Sequence, residues 1–411
     1  MLACASSQGQ PPEDLPEAKG SSVSKPLVYV DLQFAKDSQR LLVVRLDSDK
    51  STHLVRVYDT QIGRRFGDRR YIPLLFPDIY SPDNAKPGYR QLDGSAKLCS
   101  DGNSVVTYSR GIVRIWDNAK EGKGSWPPKP VTLEHPGEVM VAFTKDNKQL
   151  LTTSLTSDMR FGAEVKMELK LWEAESGKQV GETVTTTVGR IPQIPGASLK
   201  SLTLSPDGTV FLTAIGTQHD EAKSVQFRDT KTLKSLGEPL PAAGSRFSIS
   251  PDGKTLIAIS RSELSVWNIA DRKKVCSLPT PEVVKNEPSP VFNFRYKPWF
   301  AIHPNGKSVL YRKDDHVRLY DMSGEKPVEK LALKHPGQVY WLAISHDGKL
   351  AATACSQQDG VYVWNLETGK AILKIPHVGK VEAMEFSPDG LLLATANAAD
   401  VQLWDLVEKK K

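Results

Sequence analysis

At 411 residues the chain is longer than the roughly 250 at which a single hydrophobic core usually divides, so it needs separate domains or a repeated unit that extends one architecture by addition. Its 39% hydrophobic and 25% charged residues exclude disorder by composition. A helical membrane protein is excluded as well, because the longest apolar runs are strand-like pieces such as Leu391-Leu392-Leu393-Ala394, well short of the roughly 18 residues of a spanning helix. A net charge of +6 is too mild on this length for the dense basic stripe of a nucleic-acid binder, so nucleic acid is not the expected partner.

Residues 1–25 show no periodic apolar pattern and read as a flexible, Pro-rich leader, with the ordered part running over 26–411. The opening Met1-Leu2-Ala3-Cys4 lacks the basic and long apolar regions of a complete signal peptide. A cytoplasmic chain is expected. The alternative is an exported protein or lipoprotein, because Leu-Ala-Cys loosely matches a bacterial lipoprotein cleavage box.

From there one pattern recurs eight times, an apolar-X-apolar-aromatic run ending in an acid or amide. The copies are Val55 to Asp59, Val113 to Asp117, Leu169 to Glu173, Val225 to Asp229, Leu264 to Asn268, Val317 to Asp321, Val361 to Asn365 and Val401 to Asp405. In the fourth copy the aromatic, Phe227, is read as shifted by one. Repeats about 40 to 58 residues apart mark stacked sheets in a ring.

Each unit also carries a turn, as in Ser205-Pro206-Asp207-Gly208, Ser250-Pro251-Asp252-Gly253, His303-Pro304-Asn305-Gly306, Ser345-His346-Asp347-Gly348 and Ser387-Pro388-Asp389-Gly390, with Lys145-Asp146-Asn147-Lys148 as a relaxed version. Pro presets φ at the corner, Asp or Asn caps backbone N–H groups, and Gly supplies the positive φ before the next strand. A β-rich second strand follows, then the aromatic third strand, then a turn such as Glu367-Thr368-Gly369-Lys370 and a fourth strand such as Ala371 to Ile375. Four antiparallel strands per unit predict an all-β propeller. Eight third strands predict eight blades, with seven as the alternative, and the segment from Ser21 to Val28 is expected to close the ring.

With these turns, the Trp-Asp endings and the His-led starts His135-Pro136-Gly137, His335-Pro336-Gly337 and His377-Val378-Gly379, the chain resembles the WD40 repeat family, of bacterial type, over about 28 to 405. Most units lack the family's Gly-His pair, and the fourth lacks its Trp. The resemblance implies a platform for partners, usually without catalysis. It also implies rows of His, Thr, Asp and Trp that stiffen blades, here His335, Thr353, Asp359 and Trp364, and His377, Thr395, Asp400 and Trp404.

No nucleophile elbow, zinc-protease helix or phosphate-cradling glycine loop occurs. The four cysteines (Cys4, Cys99, Cys276 and Cys355) are far apart without a CxxC pair, so buried thiols are expected rather than disulfides or metal ligands. Acid and His clusters at His219-Asp220-Glu221, at Asp314-Asp315-His316 and at Asp47 to Asp49 ahead of His53 read as exposed turns. No metal and no cofactor is expected.

Three segments combine aromatics with arginine, the residue types that dominate protein interfaces. They are the insertion from Gln61 to Leu92 with Arg69, Arg70 and Tyr71, the stretch Pro290 to Phe300 with Arg295, Tyr296 and Trp299, and the pair Tyr340-Trp341 at the start of the seventh unit. The expected function is a noncatalytic, monomeric ring that recognises a protein or peptide on its top face. The alternative is a propeller enzyme, or one that binds a small ligand or metal in the central channel.

Overall fold

The structure, a computed structural model, describes residues 28–47, 52–60, 79–81, 95–99, 102, 104–109, 111–117, 130–157, 163–190, 197–217, 220–280, 300–313, 316–355, 360–376, 380–397 and 401–406. These form eight antiparallel sheets in which consecutive strands pair, so every blade is built by the simplest up-and-down order. From inner to outer strand, blade 1 holds β1 (Val28–Phe34), β2 (Arg40–Asp47), β3 (Thr52–Asp59) and β4 (Ile79–Ser81), and blade 2 holds β5 (Ser95–Leu98), β6 (Ser104–Ser109), β7 (Ile112–Asp117) and β8 (Val131–Glu134). Blade 3 holds β9 (Glu138–Phe143), β10 (Gln149–Ser157), β11 (Glu164–Glu173) and β12 (Gln179–Arg190), and blade 4 holds β13 (Ala197–Leu204), β14 (Val210–Thr217) and β15 (Val225–Asp229). Blade 5 holds β16 (Arg246–Ile249), β17 (Thr255–Ile259), β18 (Glu263–Asn268) and β19 (Lys273–Pro279), and blade 6 holds β20 (Phe300–Ile302), β21 (Ser308–Lys313), β22 (His316–Asp321) and β23 (Val328–Lys334). Blade 7 holds β24 (Val339–Ile344), β25 (Leu350–Cys355), β26 (Val361–Asn365) and β27 (Ala371–Ile375), and blade 8 holds β28 (Ala383–Phe386), β29 (Leu392–Ala396) and β30 (Val401–Asp405).

The turn between first and second strands is set by its own side chains. In blade 4, Ser205 Oγ donates to Asp207 Oδ1 and accepts the Val210 N–H at 3.0 Å, while Asp207 Oδ1 accepts the Thr209 N–H at 3.0 Å. Gly208 takes φ +76° between them, a region a side chain resists. Asn147 holds the equivalent left-handed position in blade 3 at φ +57°, as an amide residue tolerates.

Blades pack through apolar seams. One cluster joins blades 7, 8 and 1 through Trp341, Phe386, Trp404, Leu32 and Leu41, and β1 lies beside β28, so the last blade meets the first. Fully burying each such side chain contributes about 1.5–3 kcal/mol. The closing strand expected near Ser21 lies outside the described residues up to Val28, where β1 begins.

Three features depart from the sequence reading. The insertion from Gln61 to Leu92 is not one link, because β4 lies inside it and pairs with β3. Blades 4 and 8 have three strands each among the described residues, and in blade 4 isolated bridges Val225↔Leu240 and Arg228↔Ser235 stand where an outer strand would run. Finally, the fourth copy is not shifted. Register places Arg228 opposite Phe211, as Trp172 lies opposite Leu150, Trp364 opposite Ala351 and Trp404 opposite Leu393. Arginine occupies the tryptophan slot, and Phe227 is an ordinary inner apolar residue beside it.

Candidate functional site

Among the described residues neighbouring blades share no sheet hydrogen bonds, and side chains reach backbone groups across each seam. Gln33 donates to Ala96 O and accepts the Leu98 N–H (blades 1 and 2), and Lys97 Nζ donates to Val141 O at 2.8 Å (blades 2 and 3). Glu138 accepts the Leu199 N–H and the Ser198 hydroxyl, each at 3.1 Å (blades 3 and 4). Glu221 accepts the Arg261 N–H at 2.7 Å and the Ser245 hydroxyl at 2.9 Å (blades 4 and 5). The Tyr311 hydroxyl donates to Pro279 O (blades 5 and 6), and Arg312 donates to Val339 O at 3.0 Å (blades 6 and 7). The Tyr340 hydroxyl accepts the Val381 N–H at 2.9 Å (blades 7 and 8), and Ser38 Oγ accepts the Asp389 N–H at 3.1 Å (blades 8 and 1). Every seam carries such a latch, each net favourable by about 0.5–1.5 kcal/mol and more where a charge takes part.

The top face is where the inner strands begin and where second strands turn into third ones. There, the register of β13 slips between Leu199 and Ser201, and that of β24 slips between Val339 and Trp341. Counted back from the first turn, the extra residues Lys200 and Tyr340 stand at the same level, as does the slip between Tyr29 and Asp31 in β1. A bulge re-aims the side chain it inserts. Both Lys200 and Tyr340 are half-buried. Burial is the main influence lowering the Lys200 pKa, opposed by Glu138, Glu221 and Asp220 and aided by Arg261. Burial likewise raises the Tyr340 phenol. The neighbouring indole of Trp341 is buried, 7% exposed, within the seam cluster.

Two residues before the turn, each inner strand places one residue at a common level around the axis: Gln33, Lys97, Ala142, Thr203, Ser248, Ala301, Ala343 and Glu385. The sector of blades 8, 1 and 2 is polar and the rest is small. Burial, with the nearby Asp31 carboxylate, pushes the Glu385 carboxyl up to about 8, so it holds its proton at neutral pH.

The stiffening rows form in part among the described residues. In blade 7 the His335 ring bonds Leu333 O at 2.9 Å and the Thr353 hydroxyl at 2.8 Å, and Trp364 Nε1 donates to Thr353 Oγ1 at 2.8 Å. Because a carbonyl only accepts, His335 Nδ1 carries the proton and Nε2 accepts from Thr353. In blade 8 Trp404 Nε1 donates to Thr395 Oγ1 at 2.9 Å. The same pairing recurs in Trp116 with Thr107 and Trp172 with Thr152, and Trp267 uses Ser265 instead. In blade 3 His135 meets Trp172 edge to face, but neither ring nitrogen has a hydrogen-bond partner. Burial, more than the Lys170 ammonium, drives its pKa down to about 4.

Asp359, His377, Asp400, Arg69, Arg70, Tyr71, Arg295, Tyr296 and Trp299 lie outside the described residues. Arg69 to Tyr71 fall in the chain between β3 and β4, and Arg295 to Trp299 precede β20 in the chain. Cys99, Cys276 and Cys355 are buried free thiols, and Cys276 Sγ donates to Met322 O across the seam of blades 5 and 6. Among the described residues no group of three or more His, Cys, Asp or Glu stands together as metal ligands would, and no helix is long and apolar enough to cross a membrane. The seam latches, the bulges and Arg228 were all missed by the sequence reading.

Eight radial sheets, closed first to last and latched at every seam, define an eight-bladed β-propeller. No model of a known protein family matches the chain, and no curated protein does.

Proposed function

We propose that the chain is a noncatalytic propeller of the WD40 type that recognises a protein or peptide partner on its top face. The observation that carries this reading is the pair of bulges that set Lys200 and Tyr340 at one level on the mouth of a latched ring. Around Lys200 stand Glu138, Asp220, Glu221 and Arg261, drawn from blades 3, 4 and 5, so a segment crossing this rim meets both signs of charge and, farther round, an aromatic edge. Rigid placement of such groups keeps the entropic cost of binding low.

The test is capture from the native host followed by quantitative mass spectrometry, comparing wild type with Lys200→Glu and with Tyr340→Phe. Both changes leave Trp341 and the seam core in place. A partner held by wild type and lost with folded Lys200→Glu supports the reading. Equal capture by all three, or none after crosslinking, removes the top face from it.

A second reading rests on the channel, where Glu385, Asp31, Gln33 and Lys97 form one polar sector. It predicts a small ligand on the axis, seen as a rise in melting temperature with sugars or divalent cations that Glu385→Gln abolishes.

A further inference from the structure

The tryptophan slot of blade 4 holds a buried cation. Arg228 is 3% exposed and lies in the seam between blades 3 and 4, reaching Thr186 on β12 and the carbonyl of Leu233 beyond β15. Of its five N–H groups, one donates to Leu233 O at 3.3 Å and one to Thr186 Oγ1 at 3.5 Å, both long for charged donors. Its Nε–H has no acceptor among the described residues. Among the described residues no acid compensates the charge. The adjacent Asp229 carboxylate is turned into its own loop, where Oδ1 accepts the Lys231 and Thr232 N–H groups and the Thr232 hydroxyl. Burial acts alone in lowering the arginine's pKa, with no charge acting for or against it.

A guanidinium taken out of water without a counter-charge is among the costliest arrangements in a protein interior. Its pKa lies so far above neutrality that it keeps the charge rather than shedding it. A small anion would supply the counter-charge. Thr186, which accepts from Arg228, keeps its own hydroxyl proton to donate to the same guest, and the exposed Lys231 and Lys234 on the following turn raise the local anion concentration. The donors offered by Arg228 and Thr186 suit a halide, or one oxygen of a phosphate or sulfate.

We propose that the seam between blades 3 and 4 binds a small inorganic anion on Arg228 and Thr186, and that this anion is an integral part of the ring. The site is separate from the top face and independent of what binds there.

The test uses the full chain at constant ionic strength set with sodium gluconate, a bulky organic anion. Chloride, bromide or phosphate then replaces it stepwise while melting is followed by circular dichroism. Wild type is expected to show a saturable rise in melting temperature, Arg228→Met none, and Thr186→Val a response shifted to higher anion concentration. Anomalous diffraction from bromide-soaked crystals is expected to place a bromide at the guanidinium. Response to halides and phosphate alike marks an open slot, and response to halides alone marks a closed one. A parallel rise in wild type and Arg228→Met, a flat wild type, or a guanidinium without bromide overturns the proposal. Arg228→Trp, which installs the residue of blades 2, 3, 5, 7 and 8, serves as the folded anion-blind control if the methionine variant fails to fold.

Discussion

Thr353 is where one hydroxyl serves two buried groups at once, and replacing it tests the stiffening row quantitatively. In Thr353→Val the shape is kept and the hydroxyl is lost. Trp364 Nε1–H then has no acceptor and His335 Nε2 has no donor, with Trp364 7% and His335 4% exposed. Each orphaned group costs about 1–3 kcal/mol, so the substitution is expected to lower stability by about 2–5 kcal/mol. Thr152→Val in blade 3 takes the acceptor from the Trp172 indole without touching a histidine bond, because His135 makes none there among the described residues. This control is expected to cost about 1–3 kcal/mol.

Urea denaturation followed by circular dichroism gives the comparison, as midpoints at unchanged slope. His335→Phe combined with Thr353→Val completes a double-mutant cycle, in which the pair is expected to be less destabilising than the sum of the singles by about 1 kcal/mol. If Thr353→Val costs no more than Thr152→Val, or if the cycle is additive, the histidine adds nothing to the row and the tautomer assigned to it is wrong.

Stability should also depend on pH through two half-buried groups with opposite signs. The Glu385 carboxyl, raised from 4.5 to about 8, keeps a proton that the unfolded chain releases, so stability falls as pH rises across that window by at most about 1.4 kcal/mol per unit. His135, lowered from 6.5 to about 4, stays neutral where the unfolded chain is charged, so its contribution falls as pH drops through 6.5 toward 4. The two oppose each other between 4.5 and 6.5, and melting temperature is expected to be level there and to decline from 6.5 to 8. Glu385→Gln should abolish that decline, and a decline that survives it would place the cause elsewhere. Arg228→Trp, measured by thermal melting in gluconate, is expected to raise stability by about 1–4 kcal/mol, since apolar replacement of an uncompensated buried charge removes its desolvation cost. Trp341→Ala is expected to cost about 3–5 kcal/mol by urea denaturation, as a large buried side chain leaving a cavity. Tyr340→Phe, losing only the latch to Val381, should cost about 1 kcal/mol.

Blade number and turn positions were legible in the sequence because they rest on backbone demands that few residue types meet. A left-handed corner needs Gly208 or Asn147, and a capped turn needs Ser205 with Asp207. Each such demand returns with every blade. The Arg228 slot was legible too, had register been counted from the acid that closes the strand. Asp229 opens the same kind of loop as Asn365, its Oδ1 accepting the next N–H groups, so the residue before it takes the place of Trp364. Following the aromatic instead of the acid moved the reading to Phe227.

The latches and bulges were not legible, for a reason inherent in a repeat. A seam joins two blades of unequal sequence, and whatever polar side chain reaches the neighbour's backbone serves. Hence Gln33, Lys97, Glu138, Glu221, Tyr311, Arg312, Tyr340 and Ser38 do one task with six residue types at different levels. A bulge is a relation between two strands, two residues facing one, and leaves no mark on either strand alone. What distinguishes this ring from another of eight blades therefore lies in its departures from its own repeat. Lys200 and Tyr340 on the rim, Glu385 on the axis and Arg228 in the seam each stand where equivalent blades carry something else.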